Sequence, residues 1–334
     1  MKTVVKKERQ SIFMLFSLLW MAVTVSGCIH EYPVDGGVDP SAIELGVELT
    51  LNLTWDQEET QALFGTRARG ETAIRLVTEV SFNGERIGRD VTYLSEDEVS
   101  DGIIRRKLPF ALHALNYDIA VWCDAFDASE STTLCDVTDL MQIRLHQNDI
   151  NLTEPVICGY ASDNLDLRRY KGQWDIKLLK EMTLTNAAAR FKLITTDMRK
   201  FVEEELHAIE NGETYTVTFN FNNDTPDAFN AYTGAAVRNY GTVSLTGALK
   251  PSYTIFGDQD LGGGIVFCDA KDNVTMFVTV HNSARMLVVK SPEFKFKVKR
   301  GMISVVTGEF LSEKFSSNLK IDNVWEGEIV IEVN

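Results

Sequence analysis

Residues 45–55 read LGVELTLNLTW, with Leu45, Val47, Leu49, Leu51, Leu53 and Trp55 separated by Gly, Glu, Thr, Asn and Thr. The period is two. A strand sends successive side chains to opposite faces, so this spacing gathers the apolar residues on one face and the small or polar ones on the other. It predicts a half-buried β-strand over 45–55.

The same period runs outward from there. AIRLVTEVSF (73–82) alternates likewise, followed by GIIRRKLPFAL (102–112), NYDIAVWCDAFD (116–127), MQIRLH (141–146) and EPVICGYA (154–161). The 116–127 run is nearly continuous in apolar residues, as a strand covered on both faces would be. Asn-Gly, Asp-Gly and Ser/Asp clusters separate these runs at the spacing of a β-sandwich. A second group begins near Trp174. WDIKLLKEMTLTNAAARFKLITTD supplies two strands around a short link, and TYTVTFNFN (214–222), GTVSLTG (241–247), GGIVFCD (263–269), NVTMFVTVHN (273–282), RMLVVKS (285–291), FKFKVKRG (294–301), ISVVTGEFL (303–311) and GEIVIEVN (327–334) continue it. Between them, Met198, Phe201, Val202, Leu206 and Ile209 fall on one face of a helix over 197–212, which Asn211-Gly212 ends. The Gly262-Gly263-Gly264 run reads as a loop. The expected fold is mainly β: two tandem β-sandwiches, 44–172 and 173–334, joined at RRYKGQW (168–174), with one short helix in the second.

The amino terminus is of another kind. Lys2, Lys6, Lys7 and Arg9 precede IFMLFSLLWMAVTV (12–25), a secretory signal pattern too short to span a bilayer as a permanent helix. It ends in Val25-Ser26-Gly27-Cys28, which resembles the bacterial lipobox, in which the chain is cut before the cysteine and its thiol is lipidated. The expectation is a signal peptide over 1–27, lipidation of Cys28, and a flexible tether over 28–43 that includes HEYPVDGGVDP.

The formal charge is −15, and a leader carrying a net +3 leaves −18 on the mature chain. That balance argues against nucleic acid as a partner and against an electrostatic hold on anionic lipid. Four cysteines follow Cys28: Cys123, Cys135, Cys158 and Cys268. An even count in an exported chain permits disulfides, with Cys123 and Cys135 the foremost pair, while the apolar setting of each cysteine suits buried free thiols equally well.

No catalytic constellation stands out. The sequence has no G-x-S-x-G elbow, no H-E-x-x-H and no phosphate-binding loop. His30, His113, His146, His207 and His281 are isolated from one another, and Asp124, Asp127, Asp136 and Asp139 match no calcium loop, so neither metal nor cofactor is expected. FKFKVKRG turns Lys295, Lys297 and Lys299 to one side and reads as a solvated strand edge. Trp55, Trp174, Trp325, Tyr232 and Tyr240 are the aromatics available to stack on sugars.

YDIAVWCDAFD (117–127), AAARFKLITTDMRKF (187–201), TVTFNFNNDTPDAFNAYTG (216–234) and VKRGMISVVTGEFLSEKF (298–315) together resemble the two-domain lipoproteins of Bacteroidales related to fimbrial anchor and accessory subunits. The resemblance implies two transthyretin-like, Greek-key sandwiches, a lipid anchor in the outer membrane and display at the cell surface. It implies no enzymatic activity. It implies association with other fimbrial subunits, or with further copies, by strand addition, in which an unpaired sheet edge gains main-chain hydrogen bonds from another chain's strand. Polymerising members have an arginine after the first strand, where a protease trims that strand away. Arg67 and Arg69 in FGTRARGETA are the corresponding candidates, and anchor-type members keep both lipid and strand. The alternative reading is an outer-membrane surface lipoprotein that binds a host glycan or protein through its exposed aromatics.

Overall fold

Strands formed by period-two segments wrap around two apolar cores, and a third core lies between them. The computed structural model describes residues 42–51, 72–95, 98–99, 102–127, 132–146, 158–238, 243–251, 258–312, 320–322 and 328–330.

The amino-terminal unit contains β1 (Ile43–Leu51), β2 (Thr72–Phe82), β3 (Glu85–Leu94), β4 (Ile103–Leu112), β5 (Asn116–Asp127), β6 (Thr132–Thr133), β7 (Cys135–Asp136), β8 (Arg144–Leu145), β9 (Cys158–Asp166) and β10 (Ile176–Asn186). Hydrogen bonding links them in the order β3-β2-β5-β9-β10-β1-β4, with β6 on β5 and a separate β7–β8 pair. β10 turns the corner. Its residues 176–184 run parallel to β1, and Thr185 and Asn186 pair with β9. The two halves of the sheet close on Leu45, Val47, Leu49, Leu76, Ile104, Leu108, Ile119 and Val121, among others.

β10 lies beyond the expected boundary at 168–174, yet its partners are β1 and β9. The amino-terminal sheet therefore extends to Asn186, and a single buried residue, Ala187, separates it from the next strand.

The carboxy-terminal unit comprises β11 (Ala188–Thr195), α1 (Met198–Glu204), α2 (Leu206–Glu210), β12 (Tyr215–Phe221), β13 (Ala228–Asn230), β14 (Ala235–Val237), β15 (Ser244–Leu249), β16 (Gln259–Phe267), β17 (Lys271–Asn282), β18 (Leu287–Lys290), β19 (Phe294–Lys299), β20 (Ile303–Gly308), β21 (Lys320–Asp322) and β22 (Glu328–Val330). One sheet runs β16-β11-β20-β21, with β22 also on β20. The other runs β15-β12-β17-β18, with β19 also on β17. They sandwich Phe191, Phe219, Phe296, Val278 and Phe310, and α1 closes one end with Met198, Phe201 and Val202.

Two expectations change. The helix over 197–212 is two short segments broken at Glu205, whose carboxylate accepts the Tyr215 hydroxyl at 2.8 Å. The apolar face is buried along α1, whereas α2 has no buried residue. The glycines 262–264 lie inside β16 rather than in a loop. A Cβ on Gly263 would sit 2.1 Å from the Phe191 carbonyl oxygen, so the close approach of β11 requires glycine there. Beyond these, β3 is a strand that the period-two reading does not pick out, because much of it is exposed; the hairpin turn at Asn83-Gly84, both at positive φ, marks it instead.

The third core joins the units. β2 and β5 bury both faces. Leu76 and Ile119 point into the first sandwich, while Val77, Ala120 and Trp122 point out of it and meet Phe229, Ile265 and Phe267 of the second unit. The Trp122 ring lies 5.9 Å from Phe229 and 6.1 Å from Phe267. Ile143 and Phe229 exchange two backbone hydrogen bonds across this junction, at 2.9 and 2.8 Å.

Candidate functional site

β1 is the first described strand, and it is an interior one. Ile43–Leu51 pairs in parallel with Ile176–Leu184 of β10 on one side and antiparallel with β4 on the other. Ile43, Leu45, Val47 and Leu49 face inward with relative exposures of 1%, 0%, 1% and 0%. The opposite face carries charge. Glu48 accepts from Arg105 Nε at 2.9 Å, and Glu44 lies 2.8 Å from Lys107 Nζ. The hydrogen bond from Lys107 holds the Glu44 carboxyl below the usual carboxylate range. Between the two acids sits Gly46, whose added Cβ would lie 3.4 Å from the Leu178 carbonyl oxygen. The β1 position thus has a definite code: aliphatic side chains inward, and acid, glycine, acid outward against basic residues of β4.

Burying four such aliphatic side chains contributes on the order of 6–12 kcal/mol at about 1.5–3 kcal/mol each. That is comparable to the net stability of a whole domain, about 5–15 kcal/mol. Without β1, both β4 and β10 would expose strand edges, and a long apolar groove would open between them.

A family model for proteins of unknown function, DUF6562, matches residues 41–334, which includes all of β1 and everything after it. The chain belongs to DUF6562. No curated protein matches it. Among solved structures, it is similar to the fimbrial anchor protein Mfa2 from Porphyromonas gingivalis at 12% identity and a TM-score of 0.45, over 86% of this chain and 99% of that one. It is similar also to a fimbrial assembly protein from Parabacteroides distasonis at 13% identity and a TM-score of 0.38, over 86% and 97% of the two chains.

In this DUF6562 chain, Cys28, Arg67 and Arg69 lie outside the described residues, as do His30, Trp55, Trp325 and Tyr240. Cys123 and Cys135 are not bonded to each other. Cys123 points into the first sandwich and Cys135 into the core between the units, so the sheet itself separates them. The sulfur that Cys135 meets is that of Cys158, at 4.0 Å. All four described cysteines are buried free thiols, and burial pushes Cys268 up to about 12 and Cys123 and Cys135 well above the ordinary thiol value.

The acid group of the sequence disperses. Asp124 forms a buried pair with Arg75, 49 residues away, through bonds of 2.9 and 2.6 Å, and Arg75 also donates to the Cys135 carbonyl at 2.7 Å. Burial works against the Arg75 charge, but the bonds to Asp124 outweigh it and hold the guanidinium above its ordinary pKa. Asp136 and Asp139 instead accept from loop amides of Thr138 and Met141. Among the described residues, no three His, Cys, Asp or Glu side chains gather as a metal site. Trp174 is 66% exposed, whereas Tyr232 is half-buried and donates to Glu79 at 3.4 Å.

Sequence reasoning missed the residues that lock the two units together. Arg300 donates to the carbonyls of Cys268 and Gly234, each at 2.7 Å, and to the Tyr160 hydroxyl at 3.0 Å. Its guanidinium also lies over the rings of Tyr160 and Phe229, at 5.5 and 5.2 Å. Nearby, the buried Glu79 is bonded by both Arg86 and Arg89. β1 therefore lies in a sheet that packs on the second unit through Tyr160, Trp122 and Ile143.

Proposed function

We propose that this chain is a lipid-anchored cell-surface subunit of fimbrial type, without enzymatic activity, that assembles by β-strand complementation at the β1 groove. Lipid on Cys28 tethers it to the outer membrane. Its partners are other fimbrial subunits or further copies of itself. The observation that carries the reading is the placement of β1: an interior strand with four core residues, joined to the rest of the fold through the segment that holds Arg67 and Arg69. Cleavage at either arginine would detach the strand while leaving β2 to β22 on one chain.

The carboxy-terminal sequence supports the same reading. In GEIVIEVN, Glu328 and Glu332 have the four-residue spacing of Glu44 and Glu48, and Ile329, Ile331 and Val333 occupy the places of Leu45, Val47 and Leu49. A strand of this pattern meets the apolar and acidic places of the code, toward the core and toward Arg105 and Lys107, and departs from it at Val330, which stands where Gly46 does.

The test is mass spectrometry of the amino terminus of the native protein, in the membrane and in material sheared from cells. The expected result is an acylated Cys28 as first residue in the membrane fraction. A chain beginning just after Arg67 or Arg69 in the sheared fraction assigns a polymerising role, and its absence there assigns an anchor. A free Cys28 thiol, or a leader still attached in the membrane fraction, overturns the anchored reading.

A further inference from the structure

The chain carries a formal charge of −15, yet one of its sheet faces is basic and free of acid. On the solvent side of the β15-β12-β17 sheet, Thr218, Thr246 and Phe277 lie in the middle, flanked by Lys290 of β18 and by Lys295 and Lys297 of β19. The alternate residues of these strands, such as Val217, Val278 and Phe296, fill the core. No outward position of β12, β15, β17, β18 or β19 is Asp or Glu. Lys290 Nζ stands 4.7 Å over the Phe277 ring, and among the described residues neither Lys295 nor Lys297 is ion-paired.

From this we infer that the face binds an anionic polysaccharide, carboxylated or sulfated, laid across the strands. The lysines are held at a fixed pitch. Residues two apart on a strand are about 6.8 Å apart, and the strands are about 4.8 Å apart, so the cations form a grid along one margin of a flat surface. The middle of that surface presents hydroxyls and one ring. Hydroxyls suit sugar, whereas a protein interface centres on large apolar or aromatic anchors. Lysines on β19 also discourage edge-to-edge pairing. That role extends to Lys290, since β18 ends the same sheet, but it does not account for the lack of acid on the interior strands β12 and β17. The inference stands apart from strand exchange, since β1 lies in the other unit.

The test is affinity electrophoresis of the full-length chain in gels containing polygalacturonate, dextran sulfate or neutral dextran, compared with the triple variant Lys290→Gln, Lys295→Gln, Lys297→Gln. All three positions are surface ones, and thermal melting confirms that the variant folds. The expected result is retardation by one or both polyanions and none by neutral dextran. With three cations neutralised, binding should weaken roughly 20- to 40-fold between about 50 and 200 mM salt. The triple variant should lose most of the retardation. Three outcomes overturn the inference: no retardation by either polyanion at low salt, equal retardation by neutral dextran, or a triple variant that behaves as the parent does. Lysine-dependent self-association in sedimentation, without polyanion binding, also overturns it and points to an acidic protein surface instead.

Discussion

Glu48 of β1 accepts a 2.9 Å hydrogen bond from Nε of Arg105, the residue directly opposite it on β4. Partly exposed pairs of this kind contribute about 0.2–1 kcal/mol. Their value here lies in register, because a slip by one residue would turn Glu48 into the core. The substitution Glu48→Lys should lower the melting temperature slightly, and adding Arg105→Glu should restore most of the loss. Two single-variant losses that simply add in the double variant would show that the pair does not couple.

The inward face of β1 carries far more energy. Leu45→Ala or Leu49→Ala should each cost about 2–5 kcal/mol in urea unfolding, the range for a fully buried leucine. A cost no greater than that of a surface substitution would place β1 elsewhere.

Acid should loosen β1. Glu44 has a folded pKa below its ordinary value of 4.5, held there chiefly by the Lys107 hydrogen bond. A depressed carboxylate stabilises the fold above its unfolded pKa, and the contribution is lost as pH falls through the folded value. Once the chain has been cut after Arg67 or Arg69, release of the β1 fragment should therefore be slow at neutral pH and faster below about pH 4.5. Glu44→Gln should remove part of this acceleration.

The four described cysteines should behave as buried thiols. N-ethylmaleimide should leave Cys123, Cys135, Cys158 and Cys268 unmodified in the native chain and label all four in guanidinium. A peptide containing a Cys123–Cys135 bridge would contradict the placement of these residues on opposite faces of the sheet.

Arg300→Ala should loosen the junction between the units. It removes the 3.0 Å bond to the Tyr160 hydroxyl across the junction and leaves the carbonyls of Cys268 and Gly234, in its own unit, without their charged donor; hydrogen bonds to charged groups contribute about 1.5–3 kcal/mol each. Hydrogen exchange should rise in the β13–β14 hairpin. Unchanged protection there would mean that Phe229 and Trp122 hold the junction without the arginine.

Much of the β architecture is legible from local pattern. β1, β17 and β19 alternate because one face of each is buried and the other is wet. Strands covered on both faces are less informative: β5 reads as buried, but its sequence does not reveal that Trp122 is covered by Phe229 and Phe267 from the other unit. The Arg75–Asp124 pair and the Gly263 contact join residues far apart in the chain, so no short-range period encodes them. The same limit applies to the site. The pattern of β1 is visible in residues 45–55, whereas its interior place between β4 and β10 depends on β10, which the sequence assigns to the second unit.

The most direct measurement is a strand-exchange assay. The full chain is cut after Arg67 or Arg69 by limited Arg-specific proteolysis, the cut is verified by mass, and a labelled peptide of residues 327–334 is added in excess. The account predicts release of the amino-terminal fragment carrying β1 and capture of one peptide per chain, with the captured peptide blocked by Glu→Lys changes at its two acids. A fragment that stays bound while the peptide elutes free would contradict it.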